Sequence, residues 1–231
     1  ASTGDLTINA ANTEGGTDGI YAKNYGTGAL GITTTGTTTG GVNGIKAANY
    51  FGTGALSITT TGTTTGGVNG IKAVNSGGGA LSITTTGTTT GETDKGIRAS
   101  NRQYYDGPRG TSLTINATDT TGETQGIFAD NDGTGALEIT TTGTTKGTTY
   151  EGIYANNSAT GTSLKITAED TTGTQGIFAK NSGDGALEIT TTGTTTGTSS
   201  NGIFAYNTSA GTSLTITAED TTGTQGISAI N

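Results

Sequence analysis

Few side chains in this sequence could do covalent chemistry. None of the 231 residues is histidine or cysteine, which removes the usual nucleophile–base pairs and the commonest transition-metal ligands. The remaining candidates are carboxylates: Asp119, Glu169–Asp170 and Glu219–Asp220. Converging carboxylates, or a basic residue beside bound calcium, are what cleavage of a uronic-acid polysaccharide requires. These acids, however, recur at one position of a repeating pattern. In other repeats that position holds Asn12 or a glycine (Gly36, Gly62, Gly87, Gly143, Gly193). Gly, Asn and Asp all tolerate a left-handed backbone, so a single turn geometry is expected to explain all three. Stacked two repeats apart, neighbouring acids stand roughly 9.6 Å from each other. A polysaccharide-degrading enzyme is therefore the weakest reading, and no catalytic residue, metal or cofactor is expected.

Residues suited to binding are more concentrated. The segment RASNRQYYDGPRG, residues 98–110, holds all three arginines (Arg98, Arg102, Arg109), the Tyr104–Tyr105 pair and the only proline. Arg and Tyr dominate interface hot spots, and loops on rigid scaffolds are where binding usually resides. Clustered guanidiniums also suit carboxylate or sulfate groups, as on heparan sulfate.

These residues must be positioned by a repeat. GALSITTTGTTTG occurs at 54–66 and again at 79–91, letter for letter. Leu-x-Ile recurs with leucines at Leu6, Leu30, Leu56, Leu81, Leu113, Leu137, Leu164, Leu187 and Leu214. Gly-Ile-x-Ala-x-Asn recurs nine times as well, from Ile20 to Ile227, each copy closing on an asparagine. Within both anchors apolar and polar residues alternate, which is strand periodicity. Leu56, Ile58 and Thr60 should point inward, and Ser57 and Thr59 outward. A unit of about 26 residues that cannot bury its own apolar face needs stacked copies of itself. The expected fold is all-β: a right-handed, single-stranded parallel β-helix of about nine coils, roughly 43 Å long. Asparagines at one register should form an amide ladder.

The spacing from the second-anchor Ile to the next Leu is 10 or 11 residues seven times, but 16 between Ile97 and Leu113. That places an inserted loop at 98–110 in an otherwise single domain, 1–231. Both ends fall in mid-pattern, so a longer parent stack is expected. The outward position after each second-anchor Ile reads Tyr21, Lys46, Lys72, Arg98, Phe128, Tyr154, Phe178, Phe204, Ser228. One face should thus change from basic to aromatic along the rod. The aromatic run can stabilise a solenoid by stacking, whereas a run of like charges cannot.

A net charge of −8 argues against nucleic acid as a partner, and no apolar run is long enough for membrane insertion by this segment. Neither a calcium-binding nonapeptide series nor a phosphate-binding loop is present.

Stacks of the form GALSITTTG…GIKAVN resemble the passenger regions of bacterial type V autotransporters, over the whole chain. That resemblance implies a secreted or cell-surface rod, carried through the outer membrane by a C-terminal barrel. Within the family, GTGALEITTTGTT and GIYA-type coils are most similar to the angiogenic passengers of Bartonella. This implies a virulence factor that activates a host receptor of the vascular endothelial growth factor type. The alternative is a non-signalling adhesin for matrix or sulfated glycan. Residues expected to bind a partner are Lys46, Lys72, Arg98, Arg102, Tyr104, Tyr105 and Arg109, with a possible aromatic stripe of Phe128, Tyr154, Phe178 and Phe204. Receptor activation would further require a homodimer or two sites per rod.

Overall fold

The computed structural model describes residues 2–103, 107–208 and 210–231. Every rung of the molecule repeats the same path. In rung 3, strand Leu56–Thr60 forms face one, Thr64–Gly66 forms face two, and Asn69–Asn75 forms face three. Nine Leu-x-Ile strands stack in parallel and in register, Leu on Leu and Ile on Ile, from Leu6 to Leu214. The nine Gly-Ile-x-Ala-x-Asn strands stack the same way as a separate sheet. Faces one and two join through the continuous strand Leu187–Gly197. The fold is a parallel β-solenoid, as the repeat spacing predicts.

Alternation decides what is inside. Leu56, Ile58 and Ile71 have no solvent exposure, and the same positions are buried from rung 2 to rung 8. Rungs 1 and 9 have a described neighbour on one side only, and their Leu6, Ile8, Leu214 and Ile216 are partly buried.

The expected asparagine ladder is complete. Each side-chain amide donates to the next asparagine, from Asn24 to Asn231, at 2.8 to 3.3 Å. The second amide hydrogen goes to a backbone carbonyl that follows, as Asn75 Nδ2 does to Gly79 O at 2.8 Å. Burying a carboxamide costs free energy unless its donors and acceptor are used, and here both donors are used in the same way on successive rungs.

At the corner after face one, only one of the five glycines has the left-handed geometry expected of it. Among the described glycines only Gly52 and Gly143 have positive φ, 89° and 150°, so Gly36, Gly62, Gly87 and Gly193 need another explanation. It lies between rungs. Asn12 Oδ1 accepts the Thr37 amide at 2.8 Å, Asp119 Oδ1 that of Thr144 at 3.0 Å, and Asp170 Oδ1 that of Thr194 at 2.8 Å. A Cβ on Gly193 would stand 2.6 Å from that Asp170 oxygen. The acid or amide of one rung and the glycine of the next form a pair at Gly36, Gly143 and Gly193, with glycine leaving room for the cap; Gly62 and Gly87 follow another glycine, and a Cβ on either would lie 2.2 or 2.4 Å from that glycine's carbonyl oxygen.

A buried threonine column runs down face two. Thr38, Thr64, Thr89, Thr120, Thr145, Thr171 and Thr195 are fully buried, stack in register, and have hydroxyls with no hydrogen-bond partner. A hydroxyl in that state opposes folding, whereas its methyl packs well. Thr64→Val keeps the shape and removes the hydroxyl. We expect it to stabilise the rod by about 1 kcal/mol, read as a higher urea midpoint; an unchanged or lower midpoint would mean the hydroxyl is satisfied.

Candidate functional site

The outward column of face three has the register that the sequence predicts. Tyr21 pairs with Lys46, Lys46 with Lys72, Lys72 with Arg98, Arg98 with Phe128, and so on to Phe204 and Ser228. Parallel pairing sets adjacent members about 4.8 Å apart along the rod. The lower half is a stack of rings. Phe128 and Tyr154 lie 4.9 Å apart, Tyr154 and Phe178 5.0 Å, and Phe178 and Phe204 5.4 Å, all within 14° of parallel. Each ring is half-buried by its neighbours, so this stripe contributes to stability whatever else it does.

The upper half is basic and bracketed by rings. Lys46 Nζ lies 5.2 Å from the centre of the Tyr21 ring, and the Arg98 guanidinium 5.9 Å from that of Phe128. Lys95 also reaches Phe128, at 5.6 Å. Between the bracketed ends sits Lys72. Burial, then the positive charges of Arg98 and Lys46, pushes its pKa below the usual lysine value, against the opposing pull of Asp94 and Asp18. Among the described residues the single ion pair is Lys95–Asp94, at 2.6 Å, so no described carboxylate pairs with Lys46, Lys72 or Arg98. Five of the ten cationic side chains (Lys23, Lys46, Lys72, Lys95 and Arg98) thus crowd one face of rungs 1–4 in a chain of net charge −8.

The 98–110 segment divides in two. Residues 98–101 belong to strand Ile97–Asn101, so Arg98 is part of the face-three column and the insertion begins only after Asn101. Arg102 and Arg109 are exposed on the corner beyond. Arg109 Nη1 donates to Asp132 O at 3.2 Å, and Gln103 Nε2 to Gly107 O at 2.8 Å. Tyr104 and Tyr105 lie outside the described residues.

Near that corner is a half-buried acid. Burial raises the pKa of the Asp130 carboxyl, the hydrogen bond from Asn156 at 2.7 Å lowers it, and the charge of Asp132 raises it further. Its folded pKa lies above the unfolded value. The ionised form therefore costs stability at neutral pH, and that cost disappears as pH falls through the folded pKa toward the ordinary carboxylate value. Asp130→Asn is expected to raise the urea midpoint at about pH 7 and to leave it unchanged near pH 3. A uniform shift at both pH values would assign the effect to packing instead.

The carboxylates first considered for catalysis stay apart. Asp119 and Asp170 sit two rungs from each other, each with an oxygen committed to a backbone amide. No cluster of three metal-ligating side chains occurs among the described residues.

Two features escaped the sequence reading. Asp18, Asn43 and Asn69 form a second, shorter ladder through bonds of 2.7 and 3.1 Å; their shared position two residues before the anchor isoleucine was the available signal. Tyr25, Tyr50 and Phe51 form an aromatic cluster on the corner of rungs 1 and 2. Tyr25 and Tyr50 each follow a ladder asparagine, so aligning the repeats on that residue would have put them in one column.

Fold and surface together define the class: a parallel β-solenoid carrying a basic-to-aromatic stripe along one face. No protein-family model matches the chain, and no curated protein or solved structure is significantly similar to it.

Proposed function

We propose that this chain is a non-catalytic binding rod, displayed on or released from a bacterial cell, that holds a sulfated host glycan along face three. One observation carries the reading: Lys46, Lys72 and Arg98 stand in register on adjacent rungs with no carboxylate among the described residues pairing them. Like charges at that spacing repel by at most about 1 kcal/mol per adjacent pair at the dielectric constant of water. The column thus works against the fold, and burial first, then the charges of Arg98 and Lys46, lowers the Lys72 pKa. A partner with a line of anionic groups removes the repulsion. Sulfated polysaccharides carry such a line, whereas folded protein surfaces seldom present one at strand spacing. The repeats' resemblance to autotransporter passengers supports display outside the cell.

The test is binding of the purified chain to heparin and, separately, to an endothelial growth-factor receptor ectodomain, at low and high salt. A Lys46/Lys72/Arg98→Gln triple variant runs beside the parent. Heparin binding that weakens steeply with salt and is lost in the triple variant is the expected result. Saturable receptor binding that the triple variant leaves intact, with no heparin binding, would overturn the glycan reading in favour of the growth-factor-like one.

A further inference from the structure

We propose that face three is self-complementary and that two copies of the chain pair through it, antiparallel, about a two-fold axis between rungs 4 and 5. A polyanion must then displace the second copy to reach the basic column. Such an axis sets rung 4 opposite rung 5 of the partner, rung 3 opposite rung 6 and rung 2 opposite rung 7. Both copies carry the same in-register column, so Arg98 meets Phe128, Lys72 meets Tyr154 and Lys46 meets Phe178. No cation of the column meets a cation.

Charge favours this occupant. Residues 1–110 hold seven cations and six acids, whereas residues 111–231 hold three cations and twelve acids. The asymmetry reaches face three itself. Burial and the charges of Arg98 and Lys46 lower the Lys72 pKa, outweighing Asp94 and Asp18. Burial and the charges of Asp130 and Glu151 raise that of Tyr154. Positive rung 3 thus stands opposite negative rung 6, and the partner brings carboxylates to a column that no described carboxylate of its own chain pairs. The alkyl stems of Lys72 and Arg98 can lie over ring edges while their charged ends reach those acids.

The corner fixes the register. Arg102 and Asp132 each follow a ladder asparagine, and their amides donate to the carbonyls of Asn75 and Asn101 in the same way. Arg102 is exposed and Asp132 partly so, and neither makes an ion pair among the described residues. Across the axis each Arg102 faces the other copy's Asp132. With the axis on rung 4, Arg98 would oppose its own symmetry mate; with it on rung 5, Arg102 would oppose Ser158. A parallel pair would lay the basic halves on each other.

The face is also flat and large enough. Successive rings from Phe128 to Phe178 lie within 2° of parallel, so the sheet hardly twists there and two copies can follow each other along it. Eight rungs of a seven-residue strand such as Asn43–Asn49 cover roughly 34 Å by 23 Å, or about 800 Å² per copy, the size of a stable interface. The pairing stands apart from the glycan reading; only the competition rests on it.

The test is the mass of the full chain by sedimentation equilibrium, with and without heparin. The variants are Arg102→Asp, Asp132→Arg and an equimolar mixture of the two. Both side chains lie at an exposed corner, so the urea midpoints should match the parent's. The parent should be a dimer that dissociates on dilution. Each single variant meets like charges twice across the axis and should dimerise about a hundredfold more weakly. The mixture should restore the dimer, because one variant then presents two acids per copy and the other two arginines. A parent that stays monomeric at millimolar concentration, a dimer that neither variant weakens, or weakening that the mixture does not restore would overturn the pairing, while heparin binding to the column would keep the glycan reading. Heparin should convert the parent dimer to heparin-bound monomers. Heparin held by an intact dimer overturns the competition, and a dimer that binds no heparin leaves the pairing standing and removes the glycan reading.

Discussion

Replacing Asn101 with alanine is expected to be the most damaging single side-chain change in the rod, costing about 3–5 kcal/mol. Asn101 accepts from Asn75 at 2.9 Å and donates to Asn131 at 2.9 Å. The same amide reaches the carbonyls of Thr111 and Ser112, each at 3.3 Å, where the chain returns to face one after the insertion. Alanine removes the acceptor of the Asn75 amide and one donor of the Asn131 oxygen, at about 1–3 kcal/mol for each buried group left unsatisfied, while the Thr111 and Ser112 carbonyls keep their backbone donors, the amides of Gly135 and Leu81. Because a solenoid's stability is a sum over rungs and their interfaces, the loss should be local. Amide exchange should accelerate most in rungs 4 and 5 and little in rungs 1 and 8. Asn101→Asp separates the causes: it keeps the shape and the acceptor, loses the donors and buries a charge, so it should be more damaging at neutral pH than in acid. Exchange that rises evenly along the rod would refute the local account.

Gly70→Ala is the second large effect, expected at about 3 kcal/mol or more, and it comes from one methyl group. A Cβ on Gly70 would lie 2.7 Å from the Gly96 carbonyl oxygen of the next rung, 2.7 Å from the Thr89 methyl and 2.9 Å from the Thr90 carbonyl oxygen. Two of these are backbone atoms of a different rung, fixed by the parallel ladder, so neither can yield without breaking pairing on both sides. The same contact recurs down the column: Gly96 faces the methyl of Thr120, Gly126 that of Thr145 and Gly152 that of Thr171. The control is Gly31→Ser, one residue after a face-one leucine, where a Cβ meets nothing within 4 Å. Neighbouring rungs carry Thr7 and Ser57 there. That change should stabilise by about 0.5 kcal/mol, by narrowing the unfolded ensemble. Equal urea midpoints for the two variants would show that the stack absorbs a methyl, contrary to the geometry.

The two halves of the face-three stripe call for different experiments, because their rings and cations relate differently to the fold. Truncating Tyr154 removes stacking on both sides, with Phe128 and Phe178 at 4.9 and 5.0 Å, so any binding defect would be confounded with stability. Truncating Lys72 relieves repulsion from Lys46 and Arg98, so a binding defect there is interpretable.

A good deal of this was legible in the letters. The leucine and isoleucine spacing fixes the rung, since residues at equal positions in near-equal repeats must stack, and the two-residue alternation then fixes inside from outside. That is why the Asn24-to-Asn231 ladder and the Tyr21-to-Ser228 column could be placed in register from sequence. The corners could not be read so. Asp119 and Gly143 look like alternatives for one turn, but they are partners across rungs, because a side chain that caps the next rung's amide is invisible within its own repeat. The bounds 98–110 overlap a strand: Arg98, which the repeat also places in the outward column, pairs through its backbone with Lys72 and Phe128, so the inserted residues follow Asn101. The aromatic corner shows its contacts only in the tertiary structure. Tyr25 and Tyr50 stand 25 residues apart outside the repeating strands, and only the stacking of rung upon rung brings their rings to 5.0 Å with Lys23 alongside. Periodicity determined the rod; contacts between non-repeating side chains on adjacent rungs decided its surface.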